Sequence, residues 1–145
     1  MIYLAGPLFT TAERNFNSAL AAELRKILGR EIFLPQDACA DSQSPADIFH
    51  ACVKGINDSE LVIAVLDGPD SDSGTCFEVG YANARGIPVL GVRTDFRQCS
   101  DDGGLNLMLS QGCLFVCQFP STDPSVSAVS IAAEVAGRAL DILRA

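Results

Sequence analysis

Residues 61–92 read LVIAVLDGPDSDSGTCFEVGYANARGIPVLGV, and this stretch predicts the class of the fold. It opens with an apolar, β-branched run at 61–66 and closes with a second run at 87–92, each typical of a buried strand. Between the two runs, an acidic, glycine-containing loop leads into a helix. Hydrophobic strands that alternate with helices indicate a parallel sheet covered on both faces, with right-handed crossovers.

The same alternation extends to both ends of the chain. Further strand-like runs lie at residues 1–5, 31–34 and 114–119, and helical patterns separate them. We therefore expect an α/β fold, a flavodoxin-like or Rossmann-like three-layer sandwich with a five-stranded parallel sheet. A chain of 145 residues, 48% of them hydrophobic, can bury one sizeable core but not two. Residues 1–145 are accordingly predicted to form a single domain.

Three of the helices have recognisable ends. Gly29 is placed to stop the first helix, whereas Ser44-Pro45 and Asp123-Pro124 each offer an N-cap and a first helical residue. Apolar residues at helical spacing follow these signals. The predicted buried stripes are Phe16, Leu20, Leu24 and Ile27 in the first helix, Ile48, Cys52 and Ile56 in the second, and Val129, Ala133, Ala136, Leu140 and Leu143 in the last.

The charge balance argues against polyanionic partners. Ten Lys and Arg against eighteen Asp and Glu give a net charge of -8, which would repel nucleic acid and an anionic membrane surface. No apolar run approaches the roughly 18 residues of a membrane span. The N-terminus also lacks the basic flank of a signal peptide. We expect a cytoplasmic protein that acts on a small or neutral substrate.

Few residues are available for metal or cofactor chemistry. The six cysteines form no CxxC pair, so structural zinc and disulfides are not expected. His50 is the single histidine, which argues against a histidine-based triad or a multi-histidine metal site. Gly6-Pro-Leu-Phe-Thr10 lacks the spaced glycines of a dinucleotide fingerprint. We expect no cofactor and no metal, and carboxylates must carry any acid-base chemistry.

Ligands of parallel sheets bind beyond the carboxyl ends of the strands, in the loops that follow them. Those loops are residues 6–11, 35–44, 67–75 and 93–104. The loop after the third strand carries several acids and leads to Glu78, predicted in the first turn of a helix, with Asp72 six residues earlier. Two neighbouring carboxylates suit glycosidic chemistry, in which one attacks or stabilises the anomeric carbon and the other manages protons on the leaving group.

The same segment has an ordinary structural interpretation. Thr75-Cys-Phe-Glu78 matches a capping box, in which the glutamate bonds the backbone at the start of a helix. Asp72 can be a turn or cap residue, and Asp67 with Gly68 is predicted to form a turn. Arg93 and the other scattered arginines, Arg14 and Arg97, are predicted to be solvated surface cations. Local pattern alone leaves both interpretations of Glu78 open.

A resemblance favours the catalytic interpretation. DSDSGTCFEVGYA at residues 70–82, together with Tyr3-Leu-Ala-Gly-Pro7 and Asn106-Leu-Met108, resembles the nucleoside 2-deoxyribosyltransferase family. The likeness covers nearly the whole chain, in the same order and spacing. It implies that Glu78 is the nucleophile, that Asp72 contacts the nucleobase and aids its proton transfer, and that Tyr3 holds the nucleophile by a hydrogen bond.

The resemblance also implies how the substrate is bound. Gly6 and Phe9 would help to wall the sugar and base, with Phe9 as a stacking surface. Asn106 and Met108 would come from a neighbouring subunit, so a homo-oligomer with shared active sites is expected. One position departs from the pattern, because Cys52 stands where several members carry an acid. That departure bears on base specificity and proton handling, and Cys52 itself fits core packing.

Three functions remain in competition. The first is transfer of the 2-deoxyribosyl group between a 2'-deoxynucleoside and a free nucleobase through a covalent intermediate on Glu78. The second is hydrolysis of 2'-deoxynucleoside 5'-monophosphates by a related N-glycosidase, whose first loop grips phosphate with Ser and Arg. Here that loop, Pro7 to Arg14, is apolar before it is basic, which favours a nucleoside. The third is a non-catalytic nucleobase or nucleotide sensor on the same fold.

Overall fold

The computed structural model describes residues 1–97, 104–119 and 125–144, and within them five strands form one parallel sheet. The strand order is β2-β1-β3-β4-β5, which confirms the predicted fold class. The elements are β1 (Ile2–Ala5), α1 (Thr11–Leu28), β2 (Ile32–Phe33), α2 (Pro35–Ala38), α3 (Pro45–Asn57), β3 (Leu61–Val65), α4 (Ser73–Ala84), β4 (Val89–Arg93), α5 (Leu107–Gly112), β5 (Phe115–Gln118) and α6 (Ala128–Arg144).

The order of the strands creates a crevice at one place on the sheet. The chain moves outward from β1 to β2, and then returns so that β3 pairs with the other side of β1. A reversal of this kind separates the loops that leave the carboxyl ends of the two central strands. The loops after β1 and β3 therefore diverge at this point and leave room for a ligand.

Alternation along the strands distributes their side chains between two cores. Ile2 and Leu4 of β1 pack in the core that includes residues of α1 and α6. Tyr3 and Ala5 point to the opposite face, in the core that includes residues of α3, α4 and α5. The sheet is thus covered on both faces, and the hydroxyl-bearing Tyr3 lies on the same side as α4.

The predicted helix ends are observed where they are described. Helix α1 ends at Gly29, whose φ of 61° is the left-handed conformation that glycine adopts most readily. Helix α3 begins at Pro45, with Ser44 as the N-cap. A capping box that we did not predict starts α1, where Thr10 accepts from the Glu13 backbone and Glu13 accepts from the Thr10 backbone. The proposed start of the last helix at Asp123-Pro124 lies outside the described residues.

The predicted buried stripe of the last helix is confirmed at Ala136 and partly at Leu140 and Leu143, which are half-buried, but it was wrong in the first half of the helix. Val129 and Ala133 are exposed, whereas the buried face of α6 consists of Ile131, Ala132, Val135, Ala136 and Ala139. This helix packs closely against α1, and small alanine side chains permit that approach. Because alanine is only weakly hydrophobic, the helical spacing of apolar residues in α6 was compatible with two different buried faces. In the part of the chain that the structure describes, no helix is both long and apolar enough to cross a membrane.

Candidate functional site

A cleft of about 510 Å³ opens beyond the carboxyl ends of β1 and β3, and we call it the Glu78 cleft. Three of the four loops predicted to bind a ligand contribute to it, namely those after the first three strands. Its lining residues are Gly6, Leu8, Phe9, Arg14, Pro35, Gln36, Cys39, Ile48, Cys52, Asp72, Gly74, Thr75 and Glu78. The predicted residues Glu78, Asp72, Gly6 and Phe9 are thus brought together by the fold.

Glu78 lies in the second turn of α4, one turn later than predicted. The helix begins at Ser73 because the Asp72 carboxylate accepts from the backbone N–H of Thr75 at 2.9 Å and serves as the N-cap. The alternative interpretation of Thr75 to Glu78 as a capping box is therefore wrong. Thr75 is already inside the helix and is buried. The Glu78 side chain is consequently available for another partner.

That partner is Tyr3 of β1. The Tyr3 hydroxyl donates to Glu78 Oε1 at 2.5 Å. The phenol ring has no exposed surface and stacks on Phe33 of β2, with ring centroids 5.1 Å apart. Burial first, and then the nearby charge and hydrogen bond of Glu78, raise the pKa of Tyr3 far above its ordinary value. Tyr3 therefore remains a protonated donor that holds the Glu78 carboxylate in one orientation.

The electrostatic environment of Glu78 places its titration near neutrality. Burial is the largest influence and raises its pKa, the Tyr3 hydrogen bond lowers it, and the Asp72 charge raises it, which together bring the pKa of Glu78 to about 7. A carboxyl group with this pKa exists in both protonation states at neutral pH. Perturbation of this kind in a cleft is typical of groups that react or transfer protons.

We expect Glu78→Gln to stabilise the fold increasingly as the pH rises toward 8. The folded chain holds a proton on Glu78 up to a pKa of about 7, whereas the unfolded chain loses it near the ordinary value of 4.5. The stability contributed by this group is therefore full below the unfolded pKa and is lost as the pH rises through the folded pKa. The shift corresponds to about 3 kcal/mol at most. Because the side chain is partly open to the cleft, a gain of about 1 to 2 kcal/mol is expected.

The free energy of unfolding of the wild type and of Glu78→Gln should be measured with urea from below the unfolded pKa of 4.5 up to about pH 8. The stability advantage of Glu78→Gln should grow with pH. An advantage that is the same at every pH would show that the pKa of Glu78 is not raised by folding.

Asp72 stands where two clefts meet. Its Oδ2 accepts from the backbone N–H of Thr75 and, at 3.2 Å, from the Thr75 hydroxyl, so one edge of the carboxylate is fixed by the helix. Asp72 and Phe9 line both the Glu78 cleft and a neighbouring cleft of about 790 Å³, which we call the Asp95 cleft and which extends along the loops after β3 and β4. A ligand at Glu78 can therefore extend past Asp72 into the second cleft.

Gly6 and Phe9 shape the entrance. A Cβ atom at Gly6 would lie 3.1 Å from the Val65 Cβ, so a larger residue would push the first loop and β3 apart by a few tenths of an ångström. Phe9 is 71% exposed, and its ring lies at the junction of the two clefts. An exposed aromatic ring in that place offers an apolar face to a flat ligand.

The structure does not bring Asn106 and Met108 to Glu78 of the same chain. They line a separate groove of about 740 Å³ on another side of α4, which also includes Cys76, Gly80 and Asn83 and which we call the Asn106 groove. Met108 is 78% exposed. The Asn106 side chain caps α5 by accepting from the Met108 backbone at 2.9 Å. Within one chain, helix α4 separates these two residues from the Glu78 cleft.

The apolar segment around Asn106 is divided between the interior and the surface. Leu105 and Leu109 are buried, whereas Leu107 and Met108 are exposed. The segment thus packs partly as an intrachain helix, while its outer face leaves apolar surface beside the groove.

Sequence reasoning missed two side chains whose hydrogen bonds connect the loop after β3 to the loop after β4. Arg93, predicted to be a solvated cation, is only 3% exposed and donates to the Leu66 carbonyl at 2.5 Å and the Arg97 carbonyl at 2.6 Å. Asp67, predicted as a simple turn residue, accepts from the backbones of Thr94 and Asp95 at 2.6 and 3.0 Å. These bonds fix the start of the loop that carries Asp72. No local pattern marks Arg93, because its partners are backbone carbonyls.

Arg93→Met is expected to lower the free energy of unfolding by about 2 to 4 kcal/mol, because it removes charge-assisted hydrogen bonds to the Leu66 and Arg97 carbonyls, the first of which is buried. The matched control is Arg85→Met, since Arg85 is exposed at the end of α4 and should cost less than about 0.5 kcal/mol. Urea unfolding of both variants measures the difference. Equal stability of the two variants would show that the Arg93 bonds contribute nothing specific.

Metal binding finds no support in the described ranges 1–97, 104–119 and 125–144. No three His, Cys, Asp or Glu side chains in these ranges lie close enough together to hold a metal ion. The chemistry that the Glu78 cleft can perform with its own residues is that of a carboxylate pair next to a buried phenol.

Comparisons with known proteins were made for sequence and for structure. A family model described as nucleoside 2-deoxyribosyltransferase matches residues 2–109. An uncharacterized protein of Ureaplasma parvum serovar 3 is 35% identical over 92 residues, which covers 55% of this chain and 57% of that protein. The match therefore spans just over half the length of this curated relative.

Solved structures agree on the fold. A conserved protein from Enterococcus faecalis V583 is 29% identical, with a TM-score of 0.73 over 94% of this chain and 97% of the other. The 2-desoxiribosyltransferase from Leishmania mexicana is 28% identical, with a TM-score of 0.61 over 74% and 83% of the two chains. The CMP N-glycosidase of Clostridium botulinum is 17% identical, with a TM-score of 0.60 over 97% of each chain, and at that identity it shows a shared fold alone.

Proposed function

The chain belongs to the nucleoside 2-deoxyribosyltransferase family, and from that premise we propose that it transfers the 2-deoxyribosyl group between nucleobases of 2'-deoxynucleosides. The observation that carries the proposal is the Glu78 carboxyl group, held by Tyr3 at 2.5 Å inside a cleft and with a pKa of about 7. A positioned carboxylate that is partly ionised at neutral pH suits nucleophilic attack on an anomeric carbon.

In the first step, a Glu78 carboxylate oxygen forms a bond to C1' of the deoxyribose. The glycosidic bond breaks, and its electron pair leaves with the nucleobase, which takes up a proton with the help of Asp72. In the second step, a nitrogen of another nucleobase attacks C1' and loses its proton with the help of Asp72, the ester bond to Glu78 breaks, and the free carboxylate returns. Two displacements at C1' retain its configuration, and ping-pong kinetics are expected.

Tyr3 supports both steps through one hydrogen bond. Because its hydroxyl donates to Glu78, it favours the ionised carboxylate against the effect of burial. In the second step, the same donor stabilises the negative charge that returns to Glu78 as the ester bond breaks. The buried ring, stacked on Phe33, supplies the rigidity that such positioning requires.

In this proposal, substrate binding uses the Glu78 cleft, the neighbouring Asp95 cleft and a second subunit. Gly6 and Phe9 shape the entrance to the cleft, and the exposed Phe9 ring is the surface on which a base stacks. Asn106 and Met108 reach the Glu78 cleft of a neighbouring chain, so each site in a homo-oligomer is completed by its partner. The exposure of Met108 and its separation from Glu78 within one chain support this arrangement.

The N-glycosidase reaction, in which water takes the place of the second base, is the competing function. A 5'-phosphate requires cationic or hydroxyl donors in the first loop. Here Arg14 Nη1 donates to the Leu8 and Phe9 carbonyls, both at 3.1 Å. The neighbouring Asp95 cleft is lined by five acids and by the cation Arg97, which pairs with Asp95, so its net charge is negative and repels a phosphate. The acids are Glu13, Asp67, Asp70, Asp72 and Asp95. These observations favour a nucleoside substrate.

The test incubates the protein with 2'-deoxyinosine and free adenine, then with other donor and acceptor pairs, and separately with 2'-deoxynucleoside 5'-monophosphates, and analyses the products by chromatography. Formation of 2'-deoxyadenosine, or of another exchanged nucleoside, supports the transferase. Release of free 2-deoxyribose from nucleosides without exchange contradicts it, and cleavage confined to nucleoside 5'-monophosphates supports the hydrolase. No turnover of any pair supports a non-catalytic binding role.

A further inference from the structure

Two cysteines face the Glu78 cleft from different elements. Cys39 ends the short helix α2, and Cys52 lies in the middle of α3. Both line the cleft, and both are partly buried. The proposed transfer reaction uses neither thiol. Their presence in the wall of a reactive cleft therefore calls for a separate explanation.

The two thiols are neighbours. Burial raises the pKa of the Cys52 thiol, Cys39 lies close enough to raise it further, and both thiols are free. Cys52 is also close enough to influence the Tyr3 hydroxyl, which binds Glu78. Cys52 thus connects the thiol pair to the two residues at the centre of the site.

The other described cysteines have different surroundings. Cys76 lines the Asn106 groove, and Cys113 and Cys117 are buried in the two cores on opposite faces of the sheet. Among residues 1–97, 104–119 and 125–144, Cys39 and Cys52 are thus the two cysteines that line the same cleft. Neighbouring thiols on different elements can form a disulfide where the backbone lets their Cα atoms come within about 4.4 to 6.8 Å.

We propose that Cys39 and Cys52 form an oxidation site, at which a peroxide converts the two thiols into a disulfide that closes the Glu78 cleft. The effect on activity rests on the proposed function, whereas the formation of the disulfide does not.

The chemistry balances with hydrogen peroxide as the oxidant. The Cys39 thiol attacks one peroxide oxygen, the O–O bond breaks, and a sulfenic acid and one water are formed. The Cys52 sulfur then attacks the sulfenic sulfur, the S–O bond breaks, and the thiol proton leaves with the hydroxyl group as a second water. Burial raises the pKa of Cys52 to about 11, which slows its own reaction with peroxide and leaves that first step to Cys39. Cys52 then reacts through the small fraction of it that is thiolate.

Disulfide geometry explains the effect on the cleft. The bond requires a sulfur separation near 2.05 Å, whereas both thiols are free in the structure, so its formation draws the end of α2 toward α3. Residues 40–44 connect the two elements without regular helix or strand and can absorb this movement. The displaced wall lies beside Tyr3 and Glu78. Loss of cleft volume there excludes the substrate, and reduction restores the open form.

The experiment treats the protein with hydrogen peroxide, blocks the remaining thiols with N-ethylmaleimide and maps the peptides by mass spectrometry without reduction. Trypsin leaves Cys39 and Cys52 in one peptide, residues 31–54, because no Lys or Arg lies between them. A disulfide appears as the loss of two hydrogens and of both alkylation sites. Further cleavage before Asp41 and Asp47 should release residues 41–46. Fragments 31–40 and 47–54 should then stay linked and separate only after reduction.

Three single variants make the result specific. Cys39→Ser and Cys52→Ser should each abolish the linked peptide, whereas Cys76→Ser, which changes the cysteine of the Asn106 groove, should leave it unchanged. In the wild type, base exchange should fall at least tenfold as the linked peptide accumulates and should return with dithiothreitol. Both serine variants should keep their activity during the same treatment.

Consumption of the two thiols without a link between them would overturn the proposal. A linked peptide with undiminished base exchange would overturn the closing effect. Should the reduced protein show no base exchange at all, the proposed function fails, and the peptide map still decides whether the disulfide forms.

Discussion

Glu78→Gln is expected to reduce base exchange by roughly 10⁴-fold or more, as is found when a covalent nucleophile is removed from an enzyme. The amide is close to the carboxylate in size and can still accept the hydrogen bond that Tyr3 donates to Glu78. It cannot form the glycosyl ester, so the reaction loses its intermediate while the cleft keeps its shape. The rate should be measured with the donor and acceptor pair that the wild type uses best.

The control is Glu134→Gln. Glu134 is exposed on α6, whose buried residues belong to the core on the opposite face of the sheet from α4, and its replacement should leave the rate unchanged. Unfolding curves should show that both variants are folded. If Glu78→Gln were destabilised but fully active, Glu78 would be a structural residue, and the proposed mechanism would be wrong.

Mixing two inactive variants is expected to restore about a quarter of the wild-type activity if dimers with shared sites form at random. Glu78→Gln and Asn106→Ala should each be nearly inactive alone. Half of all the dimers are then mixed dimers, which contain one chain of each kind. In such a dimer, one of the two sites combines an intact Glu78 with an intact Asn106. The variants should be denatured together and refolded, and the mixed species verified by native mass spectrometry.

Asn106 also caps α5, so its replacement by alanine has a structural effect that must be separated from binding. Asn106→Asp retains an acceptor oxygen for the Met108 backbone but removes the amide donor. We expect this variant to be as stable as the wild type and still impaired, and to recover activity when mixed with Glu78→Gln. The absence of recovery in verified mixed dimers, or full activity of an isolated monomer, would contradict the shared site.

The sequence predicted the elements of the sheet because each strand is a compact apolar run with turn residues around it. It also proposed Glu78, Asp72 and Tyr3 as candidate site residues, but through resemblance, since Thr75 to Glu78 reads equally well as a capping box. The structure resolves that ambiguity by showing that Asp72 takes the capping role. The local sequence around a carboxylate is the same whether it caps a helix or faces a cleft. What distinguishes Glu78 is its hydrogen bond to Tyr3 of β1, which exists only in the folded chain.

Other features depended on contacts that no local pattern contains. Arg93 is buried because the loops after β3 and β4 present carbonyl groups to it, and those loops meet only in the folded chain. The proximity of Cys39 to Cys52 likewise depends on how the short helix α2 packs beside α3. Cys52 appeared in the sequence as a core residue on an apolar stripe, and the structure adds that it borders the Glu78 cleft.

The most direct test of the central proposal is the mass of the protein during turnover. A 2'-deoxynucleoside donor is supplied without an acceptor base, and the reaction is quenched in acid. The masses of the intact chain and of its peptides are then measured by mass spectrometry. The mechanism predicts that part of the chain carries one 2-deoxyribosyl group, that the group is attached to Glu78, and that it disappears when an acceptor base is added. A stoichiometric burst of released base with the sugar on another residue, or with no sugar on the protein, would contradict Glu78 as the nucleophile.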